Sequence, residues 1–312
     1  MQTSDLRRTL KEVIADREFS AGQIAKMVDL SPATLSNFLA GKGPASDQTS
    51  GKLRQWLSQQ GFLQWFPTRT AERIMGALAA TQQRGEFCVI TGDAGCGKTV
   101  TAKEFQATQK NVLYRYLNPL CRSTSVLLST LCDLFAVGTG HSIQRSYERL
   151  LANLQDGPSS PLLILDEAQH CGPAGLETLR SLHDEAGLSV ALVGNSEIHR
   201  MLSGSRDGTR TAAFAQLHSR VGITLAVQTT EDDVVEFCKH KRVPQELVPV
   251  FVSIGVRRLN GGGGLRAVGK ILDAARQCAS GGNLDRLAVA KGHIVATGQK
   301  LEFDSGGRRA KR

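Results

Sequence analysis

No stretch of this 312-residue chain approaches 18 consecutive apolar residues, so a membrane-spanning helix is not expected. The opening residues, MQTSDLRRTLKEV, lack the apolar core of a secretory signal. A cytoplasmic protein is expected, in the host cytoplasm if the chain is phage-encoded. Cysteine pairing is absent too. The seven cysteines, at 88, 96, 121, 132, 171, 238 and 278, are odd in number and include no Cys-x-x-Cys pair. That argues against a disulfide framework or a zinc site and for reduced thiols. What the chain does have is 41% hydrophobic residues, enough for packed cores and too many for a disordered chain. Its length suggests about two domains at roughly 150 residues each.

Excess charge is scarce where it would first be sought. The net charge is +9, yet residues 1–66 contribute +2 (8 basic, 6 acidic) and residues 67–222 only +1 (15 basic, 14 acidic). Residues 223–312 carry 15 basic and 9 acidic side chains, +6, and end in Arg308, Arg309, Lys311 and Arg312. Such a tail suits either a solvated end or nucleic-acid contact.

Residues 1–66 read as short helices. Leu6, Leu10, Val13 and Ile14 share one face of a helix over 5–17. Ser20 is placed to cap a second helix. Ser31 followed by Pro32 is a strong start for a third, which Gly41 can end. A fourth, about 47–59, buries Leu53, Trp56 and Leu57. The segment from Gln23 to Gly43 resembles a helix-turn-helix of the phage-repressor type. Its second helix would present Thr34, Ser36 and Asn37, with Lys42 just beyond, towards DNA. No Arg or Lys lies between Ser31 and Ala40, so phosphate attraction there is weak. The same bundle also suits a protein-interaction module.

The middle of the chain carries the chemistry. Glu86–Thr91 is a short apolar run suited to a buried parallel strand. It leads into Gly92, Asp93, Ala94, Gly95, Cys96, Gly97, Lys98 and Thr99, then a helix-like stretch from Val100. This is G-x-x-x-x-G-K-[ST] in a strand–loop–helix setting, a phosphate-binding loop for ATP. Its glycines let backbone N–H groups surround phosphate oxygens, and the helix N-terminus adds partial positive charge. Lys98 can reach the β- and γ-phosphates, and the Thr99 hydroxyl can ligate Mg2+. Further on, residues 161–165 form an apolar strand ending in Asp166 and Glu167. Asp166 is placed to hold Mg2+, partly through water, and Glu167 to deprotonate an attacking water. Strands at 189–194, 222–227 and 111–117 complete five parallel strands in a doubly wound α/β domain.

The order of these pieces resembles the AAA+ ATPases over about 67–275. The expected domains are a helix-turn-helix domain (1–66), an AAA+ core (67–222, its last strand reaching about 227) and a small all-α lid with a basic tail (223–312). The resemblance implies that Asn195, at the end of the fourth strand, helps position the attacking water. It implies that Arg220 reaches a neighbouring subunit's γ-phosphate. It also implies that Arg266, after the four-glycine run 261–264, senses nucleotide from the lid. An arginine acting in trans makes ATP favour a homo-oligomer.

Candidate contacts to double-stranded DNA in the middle domain are three arginine sets. They are Arg115 with Arg122, Arg145 with Arg149, and Arg206 with Arg210. Ordinary surface charge explains any one set equally well. The three parts in this order, with DEAQ at 166–169, resemble the target-selecting ATPases of phage DNA transposition. That resemblance implies ATP-dependent, largely non-specific DNA binding as helical filaments and delivery of target DNA to a transposase. It implies stimulated strand transfer and target immunity through release on hydrolysis. A helicase-loading ATPase and a sequence-specific regulator with an ATPase switch are the other readings the residues allow.

Overall fold

The computed structural model describes residues 3–15, 19–42, 46–59, 65–157, 161–202, 216–256, 263–279 and 284–301. By contacts the chain divides into two units. One comprises Met1–Asp93 and Gly97–Val227, and the other Ala94–Cys96 and Gln228–Arg312.

The first unit begins with four helices: α1 (Thr3–Ala15), α2 (Ala21–Met27), α3 (Pro32–Ala40) and α4 (Asp47–Gln59). Local chemistry sets their starts. At α2 the Ser20 hydroxyl accepts the Gln23 N–H at 3.3 Å, while Gln23 accepts the Ser20 N–H at 2.8 Å, a reciprocal capping box. At α3 the Ser31 hydroxyl accepts the Thr34 N–H at 3.0 Å, with Pro32 in the first turn. Leu6, Leu10, Ile24, Leu35, Phe38, Leu53, Trp56 and Leu57 form one buried cluster, which joins the four helices. Phe19 meets Trp56 edge to face, with centroids 5.2 Å apart.

The rest of that unit alternates helix and strand: α5 (Arg69–Arg84), β1 (Phe87–Gly92), α6 (Lys98–Thr108), β2 (Val112–Tyr116), α7 (Thr124–Leu134), α8 (Ile143–Asp156), β3 (Leu162–Asp166), α9 (Pro173–Ala186), β4 (Ser189–Gly194), α10 (Glu197–Leu202) and β5 (Val221–Val227). The five strands pair in parallel in the order β2-β3-β4-β1-β5. Central β3 and β4 are buried along their whole length, as their unbroken apolar runs require. Edge strand β5 instead alternates half-buried and exposed residues up to Val227.

In the second unit the helices are Glu231–His240, Val248–Val256, Gly264–Cys278 and Arg286–Thr297. Thr230 and Asp233 make a capping box at the first, and Asp285 caps the last. Before the helix at Val248 the chain makes a 3-10 turn over Gln245–Leu247. Val243 precedes Pro244, whose ring disfavours helical backbone in the residue before it.

Candidate nucleotide site

The register of the parallel strands assembles the site. Asp166 on β3 lies opposite Val193 on β4, and Thr91 on β1 lies opposite Gly194. The loop after β1, the two carboxylates after β3 and Asn195 after β4 therefore gather along one edge of the sheet. Loops at the carboxyl ends of parallel strands are where α/β folds hold ligands.

The loop has the conformation its glycines permit. Gly95 and Gly97 have φ of +84° and +95°, which side chains with a Cβ rarely adopt. Gly97 is the N-cap of α6, and no side chain caps that helix there. Thr68 caps α5 and Ser142 caps α8, whereas α7 and α9, like α6, start without a side-chain cap. An N-terminus left without a side-chain cap fits an anionic phosphate group. Lys98 Nζ donates to the carbonyls of Gly92 at 2.7 Å and Asp93 at 2.9 Å. The ammonium is thus folded over the loop, where phosphate oxygens would compete for it. Thr99 follows, half-buried in the first turn of α6, and Val100 is exposed.

Asp166 is fully buried. Its carboxylate accepts the Tyr114 hydroxyl at 2.9 Å and the Glu167 N–H at 3.0 Å. Burial pushes the Tyr114 phenol well above its ordinary range, and the Asp166 charge pushes it further, so Tyr114 stays a donor. The donor set of Thr99 hydroxyl and Asp166 carboxylate is hard oxygen, which suits Mg2+. Glu167 sits in the left-handed region, φ 54° and ψ 41°. A non-glycine residue held there costs about 1–3 kcal/mol, and such outliers cluster at functional sites. The Glu167 carboxylate accepts from Gln169 Nε2. The Asn195 N–H donates to Gln169 Oε1 at 3.4 Å, and Asn195 Oδ1 accepts the Glu197 N–H at 2.9 Å, at the start of α10. His199, on α10, shares a hydrogen bond of 2.9 Å with Thr91 Oγ1.

Arg220 is elsewhere. It precedes β5, and its carbonyl accepts the Phe87 N–H at 3.1 Å, at the entrance end of β1. A strand rises about 3.3 Å per residue, so roughly 20 Å of sheet separates Arg220 from the phosphate loop. Its guanidinium forks onto the Asp184 carboxylate, with Nη2 2.7 Å from Oδ2. Arg180 binds the same carboxylate. Hydrogen bonding from Arg220 holds the Asp184 carboxyl below the usual range, despite some desolvation.

In the second unit Arg266 is exposed near the start of its helix. The adjacent Leu265 N–H donates to the Gly95 carbonyl at 3.0 Å.

Of the DNA candidates, Thr34, Ser36, Asn37 and Lys42 are all exposed. The Thr34 hydroxyl, however, lies 2.8 Å from the Ser31 hydroxyl, within the cap. Arg115, Arg122, Arg145 and Arg149 are also exposed. Arg149 donates to the Gly138 and Thr139 carbonyls at 3.3 and 3.0 Å, so it secures the loop before α8. Arg206 and Arg210 lie outside the described residues, as does the basic tail.

Tyr114, Gln169 and Asp184 were missed by sequence reasoning. Gln169 was visible as the fourth residue of DEAQ, but nothing in the pattern says where its amide points. Asp184 and Arg220 are separated by 36 residues and meet only through the fold.

Among known proteins, residues 81–202 match the AAA domain family. The chain is 30% identical over 241 residues to the ATP-dependent target DNA activator B of Escherichia phage Mu, covering 74% of this chain and 75% of the relative. It is 27% identical over 285 residues to the Mu-like prophage FluMu DNA transposition protein B of Haemophilus influenzae, covering 87% and 95%. Among solved structures it is similar to Cdc6p of Pyrobaculum aerophilum, with TM-score 0.59 and 16% identity over 76% of this chain and 70% of that one. It is likewise similar to the Orc1 protein of Aeropyrum pernix in complex with DNA, with TM-score 0.53 and 18% identity over 77% and 69%. These structural likenesses concern the fold. The site geometry and the AAA match make the protein an ATPase. With 30% identity across three quarters of both chains, the chain belongs to the Mu-type target DNA activator family of AAA ATPases.

Proposed function

We propose that the protein binds duplex DNA in an ATP-dependent, largely sequence-independent manner and assembles on it as a helical oligomer. It presents that DNA to a transposase and leaves on hydrolysis. The observation that carries this reading is the division of the ATPase groups between opposite edges of one sheet. Lys98, Asp166, Glu167 and Asn195 stand at one edge, and Arg220 at the other. An arginine about 20 Å of strand away does not serve its own loop, but it suits a neighbour's.

The phosphates of ATP would lie in the cradle of Gly92–Thr99, held by backbone N–H groups and Lys98. Thr99 and Asp166 would hold Mg2+, which neutralises phosphate charge. Tyr114 keeps the Asp166 carboxylate oriented. Glu167 takes the proton from the attacking water, and Asn195 helps to place that water. Arg266 reports on nucleotide from the second unit. Arg220 of the next subunit stabilises the charge that develops on the transferred phosphoryl group.

DNA affinity then follows from repetition. The nucleotide-binding domain is close to neutral, so each subunit contributes few phosphate contacts. An ATP-built array aligns many of them, and avidity makes the total strong. Hydrolysis removes the intersubunit link.

Electron microscopy of the full chain with random-sequence duplex tests the reading. Filaments are expected with ATP and not with ADP or without nucleotide. Filaments that form equally without ATP contradict it. A preference for single strands would favour a helicase-loading role, and one tight footprint on bulk DNA would favour a regulator. Stimulation of strand transfer when the protein and duplex are added to transposase-bound transposon ends tests the partner.

A further inference from the structure

We propose that Gln169 is a positioning residue that sets the carboxylate of Glu167 and ties it to the strand bearing Asn195. The inference rests on the reading of Glu167 as the group that takes the proton from water.

The Gln169 side chain is 7% exposed, and both ends of its amide are used. Nε2 donates to the Glu167 carboxylate, and Oε1 accepts the Asn195 N–H at 3.4 Å. These partners fix the orientation of the amide. Turning it over would set Oε1 against a carboxylate and the NH2 against an N–H. The two contacts span neighbouring strands, because Glu167 follows β3 and Asn195 follows β4.

A Cβ on Gly194 would stand 2.3 Å from Gln169 Oε1 and 2.9 Å from Ile198 Cδ1. Glu167 itself is held at φ 54°. Its carboxylate is met by Gln169, two residues on in the 3-10 turn Ala168–His170.

A carboxylate released from this support samples rotamers that do not face the water. The rate of hydrolysis then falls while ATP affinity, set by the phosphate loop, is unchanged. Gln169→Leu removes both hydrogen bonds at similar volume, and Gln169→Glu keeps the shape but places a second carboxylate against Glu167. Gly194→Ala leaves Gln169 in the chain and pushes its amide aside.

The test is steady-state ATP hydrolysis by the full chain on random-sequence duplex, with each variant alone and combined with Glu167→Gln. For Gln169→Leu and Gln169→Glu, kcat is expected to fall by about tenfold to a hundredfold, with KM for ATP within about twofold. Gly194→Ala is expected to fall in the same direction, and it carries the test if the Gln169 variants do not fold. In the Glu167→Gln background, Gln169→Leu is expected to cost nothing further, since both act through one carboxylate. An unchanged kcat, a rise in KM alone, or losses that multiply in the double variant would overturn the proposal. If Glu167→Gln itself turns over at the parental rate, it is the underlying reading of Glu167 that fails.

Discussion

The two ends of the central sheet differ in kind. At the carboxyl end, where β1, β3 and β4 finish, loops present a cradle, a lysine, two carboxylates and an asparagine. At the entrance end of β5, one arginine is held by an acidic partner on α9, Asp184, which Arg180 also binds. The first end has acceptors and donors for a nucleotide, with Lys98 as a cation over the loop. The second end has a cation roughly 20 Å of strand from that loop. On the proposed reading, the difference between the two ends means that each subunit carries parts of two sites, which neighbours complete.

The contrast can be broken from either end. The largest effect is expected from Lys98→Ala, which removes the cation of the cradle. ATP-dependent assembly on DNA, read by sedimentation with duplex, is expected to be abolished. Arg220→Ala should bind ATP normally, by fluorescent nucleotide titration, yet lose about a thousandfold in hydrolysis and assemble poorly. Arg220→Lys should rescue little, because a point charge does not reproduce a guanidinium fork. Glu167→Gln is expected to lose about a hundredfold or more in rate while keeping ATP. On DNA it should outlast the parent protein, and prompt ATP-triggered release would contradict its role.

Smaller effects sharpen the comparison. If Arg115 or Arg122 grips phosphate, alanine there should reduce the salt slope of log K by about 0.9 per lost contact. An unchanged slope would remove that residue from the DNA surface. Asp184→Asn is the mildest. The Asp184 carboxyl is held low in the folded chain, so its stabilising effect is present above its unfolded value of about 3.8 and fades as pH falls through the lower folded value. The partly exposed pair contributes under about 1 kcal/mol. Acid titration of Tm should show a shallower fall for Asp184→Asn than for the parent below about pH 4. Identical curves would mean the ion pair contributes nothing to folding.

The sequence made some of this legible and hid the rest for physical reasons. The phosphate loop could be read because its glycines, lysine and threonine are contiguous and its flanking strand and helix have opposite periodicities. Asp166 and Glu167 could be read because a fully apolar strand ends on them. Helix starts at Ser20 and Ser31 could be read because capping is chemistry over three residues. Strand order was not legible, since pairing depends on which faces the helices cover. Nor were the supports of the site. Tyr114 meets Asp166 across 52 residues, and Arg220 meets Asp184 across 36. Gln169 was close in sequence to Glu167, but its role depends on a left-handed turn that no local pattern announces.

The central claim is that Arg220 acts on a neighbour's nucleotide. Mixing Arg220→Ala with Lys98→Ala tests it most directly, with ATP hydrolysis measured on random-sequence duplex. Each variant alone is expected to be inactive. At mixed interfaces the Arg220→Ala subunit keeps an intact cradle and receives Arg220 from the Lys98→Ala subunit. The account predicts that the mixture regains hydrolysis. A mixture as inactive as its components, with both chains present on the DNA, would contradict it.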